Sequence, residues 1–240
     1  LDVLTEAIHL AGGLVRRDGQ PVVSVKLGCN KRPEWYRLTV TDSGIAIEAG
    51  STAGAQHAAV TLRQIARQSR DSATLPGCVV EDWPDITHRG IMLDISREKV
   101  PTMGSLFSLV EMMVELKLNE FQLYTEHTFA YQNDGKVWRQ ASPISGEEIQ
   151  ALDAFCKARH IDLVPNQHSV GHLTKWLDLP EYIGMAEAPD GFDYHWGTHS
   201  TKPFSLCPID PQSIEFIGRL YDELLPNFSS EYFNVGCDET

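Results

Sequence analysis

Basic residues are scarce in this 240-residue chain: 20 lysines and arginines stand against 33 aspartates and glutamates, a net charge of −13. Such a balance cannot neutralise a run of phosphates, which excludes nucleic acid as a partner. Long apolar runs are missing too. None approaches the ~18 residues of a membrane-spanning helix, so no membrane span is expected. The five cysteines (Cys29, Cys78, Cys156, Cys207, Cys237) are odd in number, scattered and without a CxxC pair. They read neither as a disulfide framework nor as a zinc site, and leave the redox compartment open. A Gly-rich phosphate loop and an HExxH pair are also lacking, and no cofactor is implied.

What remains is an ordinary globular composition, 42% hydrophobic and 22% charged, with room for one large or two modest domains. Two regions separate near "EDWPDITHRG". Before it, "PVVSVKLG" and "YRLTVTDSGIAIEAG" alternate apolar and polar residues, the period of strands with one buried face. Asp42-Ser43-Gly44 supplies the turn between two of them. "STAGAQHAAVTLRQIARQ" then switches to helical spacing through Ala55, Ala58, Ala59, Leu62, Ile65 and Ala66. Residues 1–84 therefore read as a small α+β domain in which a helix covers a sheet. Its His9 and His57 read as ordinary helix residues.

From residue 85 to 240 the rhythm changes. Short apolar runs (Ile91–Ile95, Phe121–Tyr124, Ile161–Val164, Tyr232–Val235) alternate with amphipathic segments. Met103, Leu106, Phe107, Val110, Met113 and Val114 form one helical stripe, and Met112 and Met113 read as core packing. "SGEEIQALDAFCKARH" opens on a Ser145/Glu148 capping box, and "DPQSIEFIGRLYDELL" on an Asp210 cap with Pro211 in the first turn. The pattern is that of parallel β/α units, with a sheet buried on both faces. Without a phosphate loop after the first strand, a β/α barrel is favoured over a doubly wound sheet. In a barrel the chemistry sits on the loops that follow the strands.

Four strand ends carry polar groups to one rim: Asp94 to Arg97, Glu126-His127, Asn166 to His172, and Asp238-Glu239. Acidic pairs end many strands as solvated faces. Here "YFNVG" is expected to be buried up to Gly236, so the two carboxylates should emerge at the rim. Burial there would raise a carboxyl pKa, as a general acid requires. Alternation along a strand would point the two acids in opposite directions and give them different tasks. Arg97 offers a fork of donors for hydroxyls or a carboxylate, or a salt bridge to Asp94 or Glu98; Asp94 reads as its organiser. His168 and His172 are four apart, a spacing that His195 and His199 repeat, but neither pair has a complete set of metal ligands and no metal is assigned. Trp176, Tyr182, Phe192, Tyr194 and Trp196 crowd the loop before Pro208. Such rings suit the apolar faces of sugars, or pin the loop itself.

In order and spacing, "HRGIMLDISR", "LKLNEFQLYTEHT", "VPNQHSVGH" and "FNVGCDET" resemble the family 20 glycoside hydrolases, the β-N-acetylhexosaminidases. The preceding "YRLTVTDSGIAIEAGSTAGAQHAAVTLRQI" is similar to the small α+β domain before that family's barrel. The resemblance covers nearly the whole chain. It implies a (β/α)8 TIM barrel, of which about the first four units are present, preceded by the small α+β domain. It implies a retaining hydrolase in which the substrate's own 2-acetamido oxygen attacks C1, an exception to the two-carboxylate scheme. Carried over, Glu239 is the general acid and base and Asp238 holds the acetamido N–H. Arg97 and His172 bind the terminal sugar, with Glu126, His127 and His168 beside it, and Arg89 is structural. Three features depart from the family pattern: Cys237, expected to be packing only, follows Gly236 where a second glycine is usual; His168 stands where an aspartate is common; and Glu126-His127 stand in for acids at the second strand end.

Four strands are half of a barrel, so the rest is expected from further polypeptide or from another chain. The partner implied is a carbohydrate with a terminal N-acetylhexosamine. The competing readings are a catalytically silent carbohydrate-binding relative and a metal-dependent barrel hydrolase using His168, His172 and the acids.

Overall fold

A computed structural model of the chain describes residues 22–69, 71 and 74–239. They divide into two compact units, one holding the residues up to Arg89 together with Met112–Leu118, the other Gly90–Glu111 and the residues from Asn119 onward.

In the first unit, strands β1 (Val22–Leu27), β2 (Tyr36–Thr41), β3 (Gly44–Ala49) and β4 (Cys78–Asp82) form a sheet of order β1-β3-β2-β4. β2 and β3 are an antiparallel hairpin closing on the pair Thr41 and Gly44, so Asp42 and Ser43 make the expected turn. The alternation was legible. Tyr36, Leu38 and Val40 of β2 and Ile45, Ile47 and Ala49 of β3 are buried, and they share a core with Ala58, Ala59 and Leu62 of helix α1 (Thr52–Gln68). Ser51 caps that helix by accepting from Ala53 N at 3.1 Å. Gly54 must lack a side chain, because a Cβ there would meet the Trp35 carbonyl oxygen at 2.3 Å. Arg89 is structural: its Nη2 donates to Glu34 Oε1 at 2.5 Å and to the Lys117 carbonyl at 2.9 Å. His57 is buried at 3.7 Å from the same glutamate; His9 lies outside the described residues.

In the second unit, β5 (Gly90–Asp94), β6 (Glu120–Tyr124) and β7 (Asp162–Val164) form a parallel sheet in that order. Helix α2 (Met103–Glu115) follows β5, and helices α3 (Gly135–Trp138) and α4 (Gly146–Lys157) follow β6. α4 opens on the expected capping box: Ser145 N donates to Glu148 Oε2 at 2.9 Å and Glu148 N donates to Ser145 Oγ at 3.2 Å. Helix α5 (Thr174–Leu177) is a single turn, and α6 (Pro211–Leu224) starts where Asp210 Oδ1 accepts from Gln212 N at 2.9 Å.

Three expectations need correction. Tyr232–Val235 is not a fourth strand; it makes one parallel bridge, between Asn166 and Asn234, and Tyr232 and Val235 are exposed. A single rung cannot fix a run of residues against solvent. Among the described residues the sheet is also not buried on both faces. Phe121 and Leu123 of β6 are buried while Gln122 between them is only half-buried, and Met92 of β5 is exposed. Of the two methionines expected in the core, Met113 is buried but Met112 is 57% exposed. At about 100° per residue, Met112 lies on the side of Met113 away from Val110 and Val114, outside the stripe.

Burial lowers the pKa of His57 to about 4. An unfolded chain takes up that proton near pH 6.5, and the folded one only near 4. Stability should therefore fall as pH drops through that window, by about 3 kcal/mol at most. Urea unfolding between pH 7 and 4 should show this loss, and the slope should flatten in a His57→Gln variant.

Candidate active site

The site is built at the carboxyl ends of the parallel strands, from four segments distant in sequence. After β5, Asp94 Oδ1 accepts from the backbone N–H of Ser96 (2.9 Å) and of Arg97 (3.0 Å), and Oδ2 accepts from Arg97 Nη1 (3.2 Å). Asp94 thus aims Arg97. The Arg97 Nη2 donates to the Tyr124 hydroxyl at 2.6 Å and lies 3.2 Å from both Glu126 Oε1 and His172 Nδ1. Partial burial opposes its charge, but Tyr124, Glu126 and Asp94 outweigh that and raise its pKa.

Tyr124, the last residue of β6, was missed as a functional residue. Its hydroxyl accepts from Arg97 and donates to Glu126 Oε1 at 2.9 Å, and the Arg97 guanidinium sits 4.5 Å from its ring centre. Burial, followed by Glu126, raises the phenol's pKa well above its ordinary value. The available signal was its place, one step inside the polar strand end. Glu126 is held by its backbone: its N–H donates to Ser96 Oγ (2.7 Å), and its carbonyl accepts from Trp176 Nε1 (2.8 Å) and Gln167 Nε2 (3.1 Å). Trp176 is therefore a buried loop anchor, packed edge-on against Tyr131 and Phe216. Tyr194 and Trp196 stack with ring centres 4.4 Å apart, and Trp196 is 62% exposed.

The third strand end supplies His168 and His172. His172 adopts φ 60°, a left-handed conformation that residues with a Cβ hold at a cost of about 1–3 kcal/mol. It turns Nδ1 toward Arg97 and Glu126 (3.6 Å) and Nε2 toward the acid pair, 3.2 Å from Glu239 Oε2 and 3.7 Å from Asp238 Oδ2. His168 packs on Tyr124 (4.3 Å between ring centres) and faces Asp238 Oδ1 with Nδ1 at 3.7 Å. Burial, then the neighbouring His172, lowers its pKa.

The last segment is tied down before the acids. Asn166 Nδ2 donates to the Asn234 carbonyl (3.1 Å), Asn234 Nδ2 donates to Gln122 Oε1 (2.9 Å), and Ser169 Oγ donates to the Val235 carbonyl (2.7 Å). Gly236 turns at φ 53°, and any Cβ on it would meet the His168 ring at 2.9 Å. Strand alternation ends there, and Glu239 is itself left-handed at φ 55°. Hence Asp238 and Glu239 do not point apart, as a strand would make them; both reach His172 Nε2. Their side chains are 62% and 72% exposed, so the burial expected around the acid does not come from the described residues. Cys237 is exposed rather than packed. Its Sγ lies 3.4 Å from Ser169 Oγ, at the rim of an apolar hollow of about 470 Å³ lined by Val235, Leu206, Ile214 and Ile217.

The structure thus brings together Arg97, Glu126, His168, His172, Asp238 and Glu239. It does not bring His127 in. That ring is buried apart, its Nδ1 without a hydrogen-bond partner among the described residues, and burial with Lys175 lowers its pKa to about 4. The sequence offered no complete set of metal ligands, yet the fold places one donor atom each of His168, His172 and Asp238 within 4.8 Å of one another. His199 instead pairs with Asp193 at 2.8 Å on the surface.

Residues 86–240 match the glycosyl hydrolase family 20 catalytic domain and residues 8–83 match domain 2 of that family. The chain belongs to glycosyl hydrolase family 20. A β-hexosaminidase of Akkermansia muciniphila is 27% identical over 231 residues, 85% of this chain and 45% of that one. A β-N-acetylhexosaminidase of Cellulomonas fimi is 33% identical over 225 residues, 86% and 44% respectively. The chain thus spans less than half the length of these relatives. The solved exo-β-N-acetylglucosaminidase of Vibrio harveyi, in complex with N-acetylglucosamine, superposes with a TM-score of 0.76 at 22% identity, over all of this chain and 43% of that one.

Gly236→Ala should lower stability by about 1–3 kcal/mol, through the left-handed turn and the clash with His168. In a His168→Ser background, where the ring is gone, the clash part of that loss should vanish. A double-mutant cycle in urea unfolding measures the coupling.

Proposed function

We propose that the protein removes terminal β-linked N-acetylhexosamine from glycans, with retention of configuration and with the substrate's acetamido group as nucleophile. The observation that carries this reading is the meeting of Arg97, His172, Asp238 and Glu239 at one place on a family 20 chain. N-acetylglucosamine bound to the Vibrio harveyi neighbour supports the substrate class. We infer too that residues 1–84 are the accessory α+β domain, and that the parallel strands belong to an eight-stranded β/α barrel whose catalytic domain begins at residue 85.

In the first step the acetamido oxygen forms a bond to C1 while the glycosidic C–O bond breaks. Glu239 gives its proton to the departing oxygen. Asp238 accepts a hydrogen bond from the acetamido N–H and offsets the positive charge growing on the oxazolinium ring. In the second step water attacks C1, Glu239 takes its proton back, and the acetamido group is restored.

The neighbours of His172 set its tautomer. Arg97 has only donors, so His172 Nδ1 accepts and the ring proton sits on Nε2, facing Glu239 and Asp238. An N–H there stabilises the Glu239 carboxylate once its proton has left. Arg97, held rigid by Asp94 and Tyr124, presents its remaining donors to sugar hydroxyls. Glu126 and His168 complete the surroundings of the sugar in this reading.

Glu239→Gln in the protein as its gene encodes it should lower kcat on an N-acetyl-β-glucosaminyl disaccharide by about 10²–10⁴-fold. The loss should be smaller for a nitrophenyl leaving group, which needs less protonation. The matching β-glucoside, without an acetamido group, should scarcely react with the unaltered enzyme. Full activity of the Gln variant on the disaccharide would remove Glu239 as the acid.

A further inference from the structure

We infer that the mouth of this site also binds a zinc-type divalent cation, ligated by His168 Nδ1, His172 Nε2 and an Asp238 carboxylate oxygen, and that the bound ion silences the acid pair.

Three observations converge. The donors already face one another: His168 Nδ1 lies 3.7 Å from Asp238 Oδ1 and His172 Nε2 lies 3.7 Å from Asp238 Oδ2, and one donor atom of each residue falls within 4.8 Å of the others. A tetrahedral ion with bonds of about 2.0–2.2 Å wants its ligands roughly 3.3–3.6 Å apart. The set is slightly wide, and Asp238, 62% exposed at the end of its segment, is the member with room to close it. Neither ring nitrogen makes a hydrogen bond either, although His172 Nε2 lies 3.2 Å from Glu239 Oε2. His168 is 1% exposed and His172 9%, and neither His168 Nδ1 nor His172 Nε2 has a hydrogen-bond partner among the described residues. A buried nitrogen without a partner is costly, and one cation would satisfy both. The supporting shell is present as well. Glu126 Oε1 lies 3.6 Å from the other nitrogen of His172, the carboxylate–histidine arrangement that orients metal-binding rings.

Binding needs a lone pair on His172 Nε2. The proton moves from Nε2 to Nδ1, where Glu126 accepts it. Arg97 gives up its contact with that nitrogen and keeps Tyr124, Asp94 and Glu126. Two imidazoles and one carboxylate suit zinc and its neighbours, whereas magnesium and calcium prefer oxygen alone. His168 is the residue that makes the set: without it, one ring and one acid remain.

Binding stands on geometry alone, while silencing rests on the function proposed above. The ion takes Asp238 away from the acetamido group. It also places a double positive charge beside Glu239, whose Oε2 is 3.2 Å from the same Nε2.

Calorimetric titration of chelator-stripped protein with Zn²⁺ should give one equivalent bound, with no matching heat from Mg²⁺. His168→Gln should weaken zinc binding by about tenfold or more; His199→Ala, at the surface pair with Asp193, should leave it unchanged. X-ray absorption on the zinc-loaded unaltered protein, which does not depend on any variant folding, should show imidazole scattering and a first shell at about 2.0–2.1 Å. One equivalent of Zn²⁺ should suppress sugar release, and chelator should restore it. Absence of stoichiometric zinc binding, equal binding of magnesium, a first shell without imidazole, or binding lost with His199 instead of His168 would each overturn the site. An active enzyme that binds no zinc sinks this inference alone. A protein that binds zinc through imidazoles but cleaves no N-acetylhexosaminide sinks the proposed function and leaves the cation site standing.

Discussion

The two nitrogens of His172 are the point on which the rest of the site depends. Nδ1 meets Arg97 and Glu126, and Nε2 meets Glu239 and Asp238. A five-membered ring is rigid, so fixing one nitrogen fixes where the other points. Arg97 is itself fixed from the first strand end by Asp94, and Glu126 from the second by Tyr124 and by the backbone partners Ser96, Gln167 and Trp176. The ring thus carries the order of two strand ends into the segment that bears the acids. The left-handed backbone of His172 is the strain accepted for that placement.

Local rules explain how much of this was legible. The Asp42-Ser43 hairpin, the capping box at Ser145 and the Asp210 cap are each decided within four residues, and the structure has them where the spacing placed them. The strand-end reading singled out Arg97, His172 and the acid pair because such ends are chemical addresses in β/α folds, and the structure brings these four side chains together although the acids follow no strand. What failed was long-range. Whether Tyr232–Val235 becomes a strand depends on what lies beside it, and Asn234 provides only one rung. Whether Asp238 and Glu239 diverge depends on backbone torsion at Gly236, set by a ring 68 residues away. The apolar run alone contained neither fact.

Tyr124 and His127 show the same limit within one strand end. Both are aromatic or polar groups near Glu126, and period two separates them no better than counting does. The structure turns Tyr124 to Arg97 and sends His127 into a buried place near Lys175. One hydroxyl then joins a cation to an anion, while one imidazole becomes core.

His168 and Gly236 form a pair whose logic runs both ways. A Cβ at Gly236 would meet the His168 ring at 2.9 Å, so the ring lies under the chain because the glycine has none. The ring brings Nδ1 to the same carboxylate that His172 Nε2 faces. A carboxylate in its place would repel Asp238; an imidazole does not. The ring therefore adds no negative charge beside the acids, and the nitrogen that faces Asp238 is also a donor of the proposed cation site.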